Sequence, residues 1–426
     1  MGAGPTDLSL PPGSTSPPDS TAPASRLGGR AQVVLILGAL SAFGPLSIDM
    51  YLPGLPELGR GLDAPAWAVQ LTLTACLAGL ALGQIVAGPL SDRFGRRGPL
   101  LVGVAAYAVA SLLCAVAPSI AVLVVLRLVQ GLAGAAGIVI ARAIVRDMHS
   151  GVAAARFFSL LMLVNGLAPI LAPVIGGQVL TVTSWRGVFL VLTAIGALLF
   201  LATATGLRET LPAGKRHPGG IAETLRTFGR LLTDRGFLGH ALACGLSFGA
   251  MFAYISGSPF VIQDIYGASP QLFSVMFAGN ALGLVAASQA NRALLRRFEP
   301  LAILRTALAV QALAAVALLV VVATGTGVWG IVALLFVVVA SLGLVFPNAT
   351  ALALADHPRV AGSASGLLGV LQFIVGAAAA PLVGVGGTGT ALPMALTIAV
   401  LGVGGVLSAT VLASRPARVP RPAPAA

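Results

Sequence analysis

Apolar residues run along this chain in long blocks separated by short polar clusters, with no sustained alternation of the kind a half-buried strand requires. Roughly 20 apolar residues in a helix cross the hydrocarbon core of a bilayer. Blocks of that length fall at 32–54, 67–90, 99–117, 120–141, 157–180, 186–207, 237–263, 271–291, 301–322, 328–352, 362–385 and 390–413. The pattern predicts an all-α membrane protein with twelve transmembrane helices. The longest polar interruption, 208–236, contains Pro212, Pro218, Gly219 and Gly220 and divides the spans six and six, so two six-helix half-bundles are expected. The predicted organisation is a disordered tail at 1–30, an N-terminal bundle at 31–207, a central loop at 208–236, a C-terminal bundle at 237–413 and a second tail at 414–426. Within the central loop, Leu225, Phe228, Leu231 and Leu232 follow helical spacing among charges, which predicts an amphipathic helix on the membrane surface.

Composition agrees with lipid as the solvent: 57% of the residues are hydrophobic and only 9% charged, against about 25% charged in a soluble domain. The formal net charge of +12 could point to nucleic acid, but the basic residues sit in alternate loops. That is the placement expected of cytoplasmic loops. It puts both termini in the cytoplasm, makes the inner membrane the location, and leaves no nucleic-acid partner. Only Arg60, Arg127 and Arg186 fall outside the pattern, and Asp264 near the end of the seventh span reads as a solvated surface acid. Cys76, Cys114 and Cys244 lie singly within apolar spans, so neither a disulfide framework nor a metal site is indicated. No phosphate-binding loop and no catalytic constellation inside the spans is visible, so the chain reads as neither an ATP-driven pump nor an enzyme.

A shift of 200 residues lays Gly83, Arg96 and Arg97 over Gly283, Arg296 and Arg297, and Gly166, Leu167 and Gly176 over Gly366, Leu367 and Gly376. Duplicated halves holding a substrate between them are a common transporter plan. The loop GPLSDRFGRR at 88–97 joins the second and third spans as a tight basic turn with one acid. It resembles the signature loop of the major facilitator superfamily, which implies a charge network closing the cytoplasmic side, carried here by Gly88, Asp92, Arg93, Gly95 and Arg97. The corresponding second-half loop, ASQANRALLRRFEP, lacks the acid at the place of Asp92, so such a lock would be asymmetric.

Asp49 lies inside the first span, four residues after Pro45, whose ring cannot donate to the Ser41 carbonyl. Intramembrane ionisable residues are costly and point to function. At 1.5 Å per residue Asp49 sits roughly 8 Å, and Arg127 of the fourth span roughly 10 Å, below the outer edge. The two could meet, and a change in their balance on helix movement would bind or release a proton; a static pair that only fixes packing is the other reading. Gly131 and Gly134 share a face with Arg127 and permit close helix approach. In the fifth span, NGLAPILAPVIGG sets Pro169 and Pro173 one turn apart, flanked by Gly166, Gly176 and Gly177. It resembles the antiporter motif of drug exporters, which favours exchange; a kinked packing helix with no directional meaning is the alternative.

IDMYLPGLPEL at 48–58, APILAPVIGG at 168–177, SWRGVF at 184–189, FAYISGSPFVIQDIYG at 252–267 and SASGLLGVLQFIVGAAAAPLVG at 363–384 together resemble the Bcr/CflA (bicyclomycin and chloramphenicol resistance) group of drug:proton antiporters. That resemblance implies the major facilitator fold and multidrug efflux by alternating access. Protons and a small drug-like molecule would be the partners, the proton gradient the energy source, with no cofactor and a monomeric state. Polar or aromatic residues within spans near the expected midplane cavity are candidate substrate contacts: Tyr51, Gln130, Asn165, Tyr254, Asn280, Gln372 and Phe373. A proton symporter importing a small nutrient would use the same bundle, loop and acid, and a channel is a further possibility without a recognisable filter.

Overall fold

The computed structural model describes residues 25–148, 151–212, 221–325, 327–357, 360–385 and 389–412, with single positions at 2, 214, 216 and 387. The expected tails at 1–24 and 414–426 lie outside the described residues. Residues 25–30, predicted as tail, are instead the start of α1 (Ser25–Ser41). The remaining helices are α2 (Phe43–Asp49), α3 (Leu55–Gly61), α4 (Ala66–Phe94), α5 (Arg97–Ala115), α6 (Ile120–Met148), α7 (Gly151–Val182), α8 (Trp185–Gly206), α9 (Ile221–Thr233), α10 (Arg235–Pro259), α11 (Pro270–Leu294), α12 (Pro300–Thr324), α13 (Val328–Ala355), α14 (Ala361–Val385) and α15 (Leu392–Leu407). No strand occurs among the described residues. Among the described residues, ten helices are long and apolar enough to cross a membrane, or eleven when the bent pair Gln32–Ser41 and Phe43–Gly61 counts as one span. Large apolar side chains such as Leu35, Val102, Val182 and Leu313 stand exposed on the outer faces, the arrangement lipid favours.

Local chemistry sets the ends of these helices. Asp234 accepts hydrogen bonds from the Gly236 and Phe237 amides at the start of α10, and Ser269 accepts from the Leu272 amide at the start of α11. Pro270 and Pro300 occupy first-turn positions where a missing N–H is harmless. The amphipathic helix predicted in the central loop forms as α9, but Phe228 and Leu231 are buried with Phe237 and Leu367, so its apolar side packs on the bundle, not only on the membrane surface.

The two halves share one packing scheme. α6 packs on α4 and α5, and α5 on α8, just as α13 packs on α11 and α12, and α12 on α15. The α4–α6 contact depends on missing side chains: a Cβ at Gly131 would overlap the Cys76 carbonyl, and one at Gly79 the Leu128 carbonyl. Gly134, on the same face as Gly131, meets the Tyr107 ring. Between the halves, α4 lies against α14 and α7 against α11. Cross-half hydrogen bonds run from Gln70 Nε2 to Ser256 O (3.1 Å), Thr74 Oγ1 to Ala377 O (2.9 Å), Gln263 Nε2 to Pro53 O (3.2 Å) and Gln271 Nε2 to Gly177 O (3.1 Å). Arg60 and Asp264 add an ion pair at 3.2 Å, so that acid is partnered across the halves as well as partly solvated. Being exposed, the pair contributes little to stability.

Replacing Gly131 by Val is therefore expected to force α4 and α6 apart and cost about 1–3 kcal/mol. Gly98→Val, at a position with no neighbouring atom within 4 Å, is the matched control. Thermal unfolding of the two detergent-solubilised variants, with only the first lowered, would bear out this packing.

Candidate functional site

Two proline-driven irregularities shape the first span. Pro45 cannot donate an N–H to Ser41, and the helix breaks at Ala42, with a bend of 44° across it. Past Asp49 the chain tightens into a 3₁₀ turn, Leu52–Gly54, before Pro56 starts α3. Asp49 is thus the last residue of a seven-residue helix between two breaks.

Arg127 of α6 is fully buried. Its Nη1 donates to Gln130 Oε1 at 2.5 Å and its Nη2 to the Ser47 carbonyl at 2.8 Å. The guanidinium carbon lies 4.4 Å from the Tyr51 ring centre and 5.7 Å from that of Phe189, a cation–π sandwich on two elements. Gln130 Nε2 donates to Ser111 Oγ (2.7 Å), Tyr51 Oη pairs with Thr72 Oγ1 (2.9 Å) and Tyr107 Oη with Ser47 Oγ (2.8 Å). Tyr107 also stacks on Phe43 at 4.1 Å. One cation thereby ties together α2, α4, α5, α6 and α8.

Asp49 is buried but is not ion-paired with Arg127 or with any other cation among the described residues. The expected meeting of the two is not found: Arg127 takes the backbone carbonyl of Ser47, half a turn away, and leaves the carboxylate aside. Asp49 instead stands within electrostatic range of the Tyr254 phenol on α10, in the other half. Tyr254 Oη accepts from Asn280 Nδ2 at 2.8 Å and its ring stacks on Phe277 at 5.4 Å.

The fifth-span motif abuts this acid. Both Pro169 and Pro173 are accommodated within α7. A Cβ at Gly176 would overlap the Met50 carbonyl, next to Asp49, and one at Gly177 would collide with the Ser274 hydroxyl of α11. The two consecutive glycines let α7 lie against the first span on one side and the opposite half on the other, while Gly166 faces Val285 at ordinary contact distance.

The candidate substrate contacts do not converge on one place. Tyr51 and Gln130 belong to the Arg127 network, and Tyr254 and Asn280 bond to each other. Gln372 Nε2 lies 2.8 Å from Cys244 Sγ, and Phe373 meets Phe248 edge-on at 5.6 Å. Asn165 is on α7, but its side chain lies outside the described residues.

At the opposite end, the basic turn is a charge lock centred on Arg96, a residue outside the predicted set. Arg96 binds Asp92, donates through Nε to Asp147 Oδ2 at 2.8 Å and through Nη1 to Ser91 Oγ at 2.8 Å. Arg97 donates to the Leu207 and Ala204 carbonyls, while Arg93 lies over its neighbour Phe94 and Gly88 is loosely packed. Glu209 closes the turn by accepting from the Arg96 and Arg97 amides at 2.8 and 3.1 Å. Burial pushes the Glu209 carboxyl up, but the amides of Leu211, Arg96, Arg97 and Thr210 together outweigh it and hold the group below the usual glutamate range. Gly95, at φ +92°, supplies the left-handed backbone that brings Glu209 so close. Asp147 and Glu209 were legible only as scarce acids at helix ends.

Known proteins resemble this chain in sequence and fold. Residues 35–381 match the sequence profile of the Major Facilitator Superfamily. An MFS-type transporter of Bacillus subtilis (strain 168), YdgK, itself uncharacterized, is 43% identical over 89% of this chain and 94% of its own length. A bicyclomycin resistance protein homolog of Haemophilus influenzae is 34% identical over 90% of this chain and 96% of its own. The multidrug resistance protein MdtL of Klebsiella pneumoniae is 30% identical over 78% and 83%. Among solved structures, a mutant of the nucleoside transporter NupG superposes with a TM-score of 0.72 at 13% identity, covering 89% of this chain and 98% of that one, a likeness of fold.

The lock predicts a pH dependence. Because its amide partners lower the Glu209 pKa in the folded state, the stability it contributes is present at neutral pH and lost as pH falls through the folded-state value. Glu209→Gln should lower the thermal midpoint of the purified protein at neutral pH, and the two curves should converge below the usual glutamate range. Parallel curves would show that the amide contacts do not select the charged form.

Proposed function

The chain belongs to the major facilitator superfamily, and from that premise we propose that it is a secondary multidrug exporter of the inner membrane, exchanging protons for small amphipathic drugs or antibiotics by alternating access. With α7 as the fifth span and the bent α1–α3 as the first, the chain has twelve spans in two half-bundles, residues 31–207 and 237–413. The basic loops face the cytoplasm together with both termini. Relatives named for bicyclomycin and multidrug resistance support the substrate class.

The observation that carries the reading is Asp49: an acid buried within a span, with no ion-pairing cation among the described residues, and within electrostatic range of the other half. Carrying a charge there is costly. The group is suited to hold a proton while the packed helices enclose it and to release it when a rocking of the halves admits water. Arg127 acts on the proton indirectly, by fixing the carbonyl of Ser47 and hence the orientation of α2. Gly176 and Gly177 transmit the movement, since α7 touches the backbone next to Asp49 and the opposite half at consecutive residues. Tyr254 and Asn280, and the second-half group of Gln372 and Phe373, line the route offered to substrate. The lock around Asp92 and Arg96 holds the cytoplasmic ends of the N-terminal helices as one unit. No cofactor is needed: a proton moving down 100 mV and one pH unit delivers about 3.7 kcal/mol, enough for roughly a 500-fold gradient of a neutral drug at one-to-one exchange.

Inverted vesicles loaded with a pH-sensitive dye test this directly. Drugs added to energised vesicles should collapse the acid-inside gradient with the wild-type protein and not with Asp49→Asn. Collapse in both would remove Asp49 from the coupling path. No response of wild type to a broad drug panel, with the protein shown to be present, would overturn drug export.

A further inference from the structure

Among the described residues the lock around Arg96 has no counterpart in the second half, although the corresponding loop is there. A shift of 200 residues lays Arg296 over Arg96 and Arg297 over Arg97, but Asp92 falls on Arg292. Arg96 is buried between two acids, whereas Arg292, Arg296 and Arg297 are exposed and form no ion pair among the described residues. Glu299, the acid of this turn, makes no side-chain cap on α12 and pairs with none of them. Three free cations therefore stand at the end of the bundle where the N-terminal half neutralises its own.

Next to them is an open groove. α11 and α12 barely touch, while α13 packs on both. The gap they leave has a volume of about 420 Å³ and a lining that is apolar except at Thr306 and Ser341. Leu294 and Phe298, which flank Arg296 and Arg297 in the turn, form its mouth, and Ala302, Val310 and Phe336 continue it toward the middle of the bundle. Phe298, Val310 and Phe336 are exposed, so the groove opens outward. Its α11 wall at Ala287 lies some 200° around that helix from Val285, which faces α7, so it is on the lipid side and away from the other half. From Ala302 to Val310 the wall rises about 12 Å, close to the ~15 Å hydrocarbon depth of one leaflet.

We propose that the α11–α12–α13 groove is a binding site for an anionic phospholipid of the cytoplasmic leaflet, its acyl chain in the groove and its phosphate on Arg296 and Arg297. A chain alone would find any apolar face, and free arginines alone would attract any anion. Their continuity through Leu294 and Phe298 matches one molecule that has both parts. The lipid fills the role that Asp92 and Asp147 fill in the first half, neutralising the basic turn from outside. Only the cytoplasmic assignment rests on the topology proposed above; the site touches neither Asp49 nor Arg127 and does not depend on drug export.

Native mass spectrometry of the full-length detergent-solubilised protein, titrated with phosphatidylglycerol or phosphatidylcholine of the same chain length, tests this whichever side of the membrane the loop occupies. Wild type should retain phosphatidylglycerol in preference. Arg296→Gln with Arg297→Gln should weaken that retention about tenfold or more without changing phosphatidylcholine. Ala302→Phe, which fills the groove from an exposed position, should weaken both lipids, and Arg93→Gln, removing an exposed arginine from the other loop, should change neither. Equal retention of the two lipids by wild type, or an unchanged preference in the double variant, would overturn the site.

Discussion

A guanidinium removed from water must find its hydrogen bonds inside the protein, and Arg127 finds them on a backbone carbonyl, an amide side chain and two aromatic faces. Each partner is then constrained in turn. Gln130 is fixed by Ser111, Tyr51 by Thr72, and the Ser47 segment by Tyr107. Removing the cation would leave the Gln130 Oε1 buried without its donor, a loss of about 1–3 kcal/mol. Five helices thus keep one relative arrangement because a single charge requires it, and Asp49 inherits its position from that arrangement.

Arg127 directs Nη1 and Nη2 to neutral groups, its buried Nε finds no hydrogen-bond partner among the described residues, and Asp49 is not ion-paired with it. An acid bonded to a guanidinium would be held ionised in any conformation and would couple poorly to movement. Asp49 is buried within electrostatic range of the Tyr254 phenol of the other half, while Arg127 binds only within the first half. The arginine and the acid thus belong to different surroundings, although Arg127 bonds the carbonyl of Ser47, two residues before Asp49.

Most of the spans were legible because length and apolarity are enough to define them; among the candidate spans from Ala66–Phe94 to Leu392–Leu412 the ends fall within about four residues of the predicted blocks, except that Ile120–Met148 runs seven residues past its predicted end. The three arginines outside the loop pattern were legible as exceptions, and each has a structural partner: Arg60 on Asp264, Arg127 in its network, Arg186 on the Ala115 and Ala117 carbonyls. Depth could be counted along a helix, so Asp49 and Arg127 were placed at similar levels. Direction around the helix could not, because the break at Ala42 and the 3₁₀ turn after Asp49 rotate the side chains away from any regular spacing. The choice of Arg96 over Arg93 and Arg97 was hidden for a like reason. It depends on the positive φ of Gly95 and on partners 51 and 113 residues away.

Four of the bonds that join the halves end on backbone carbonyls, those of Pro53, Gly177, Ser256 and Ala377. A carbonyl is present whatever residue carries it, so the accepting side of this closure is blind to sequence. At Pro53, Ser256 and Ala377 the acceptor survives a change of side chain, whereas Gly177 must stay small because a Cβ there would meet the Ser274 hydroxyl. Closure held in this way prescribes the path of the backbone and leaves most of the side chains along it unassigned.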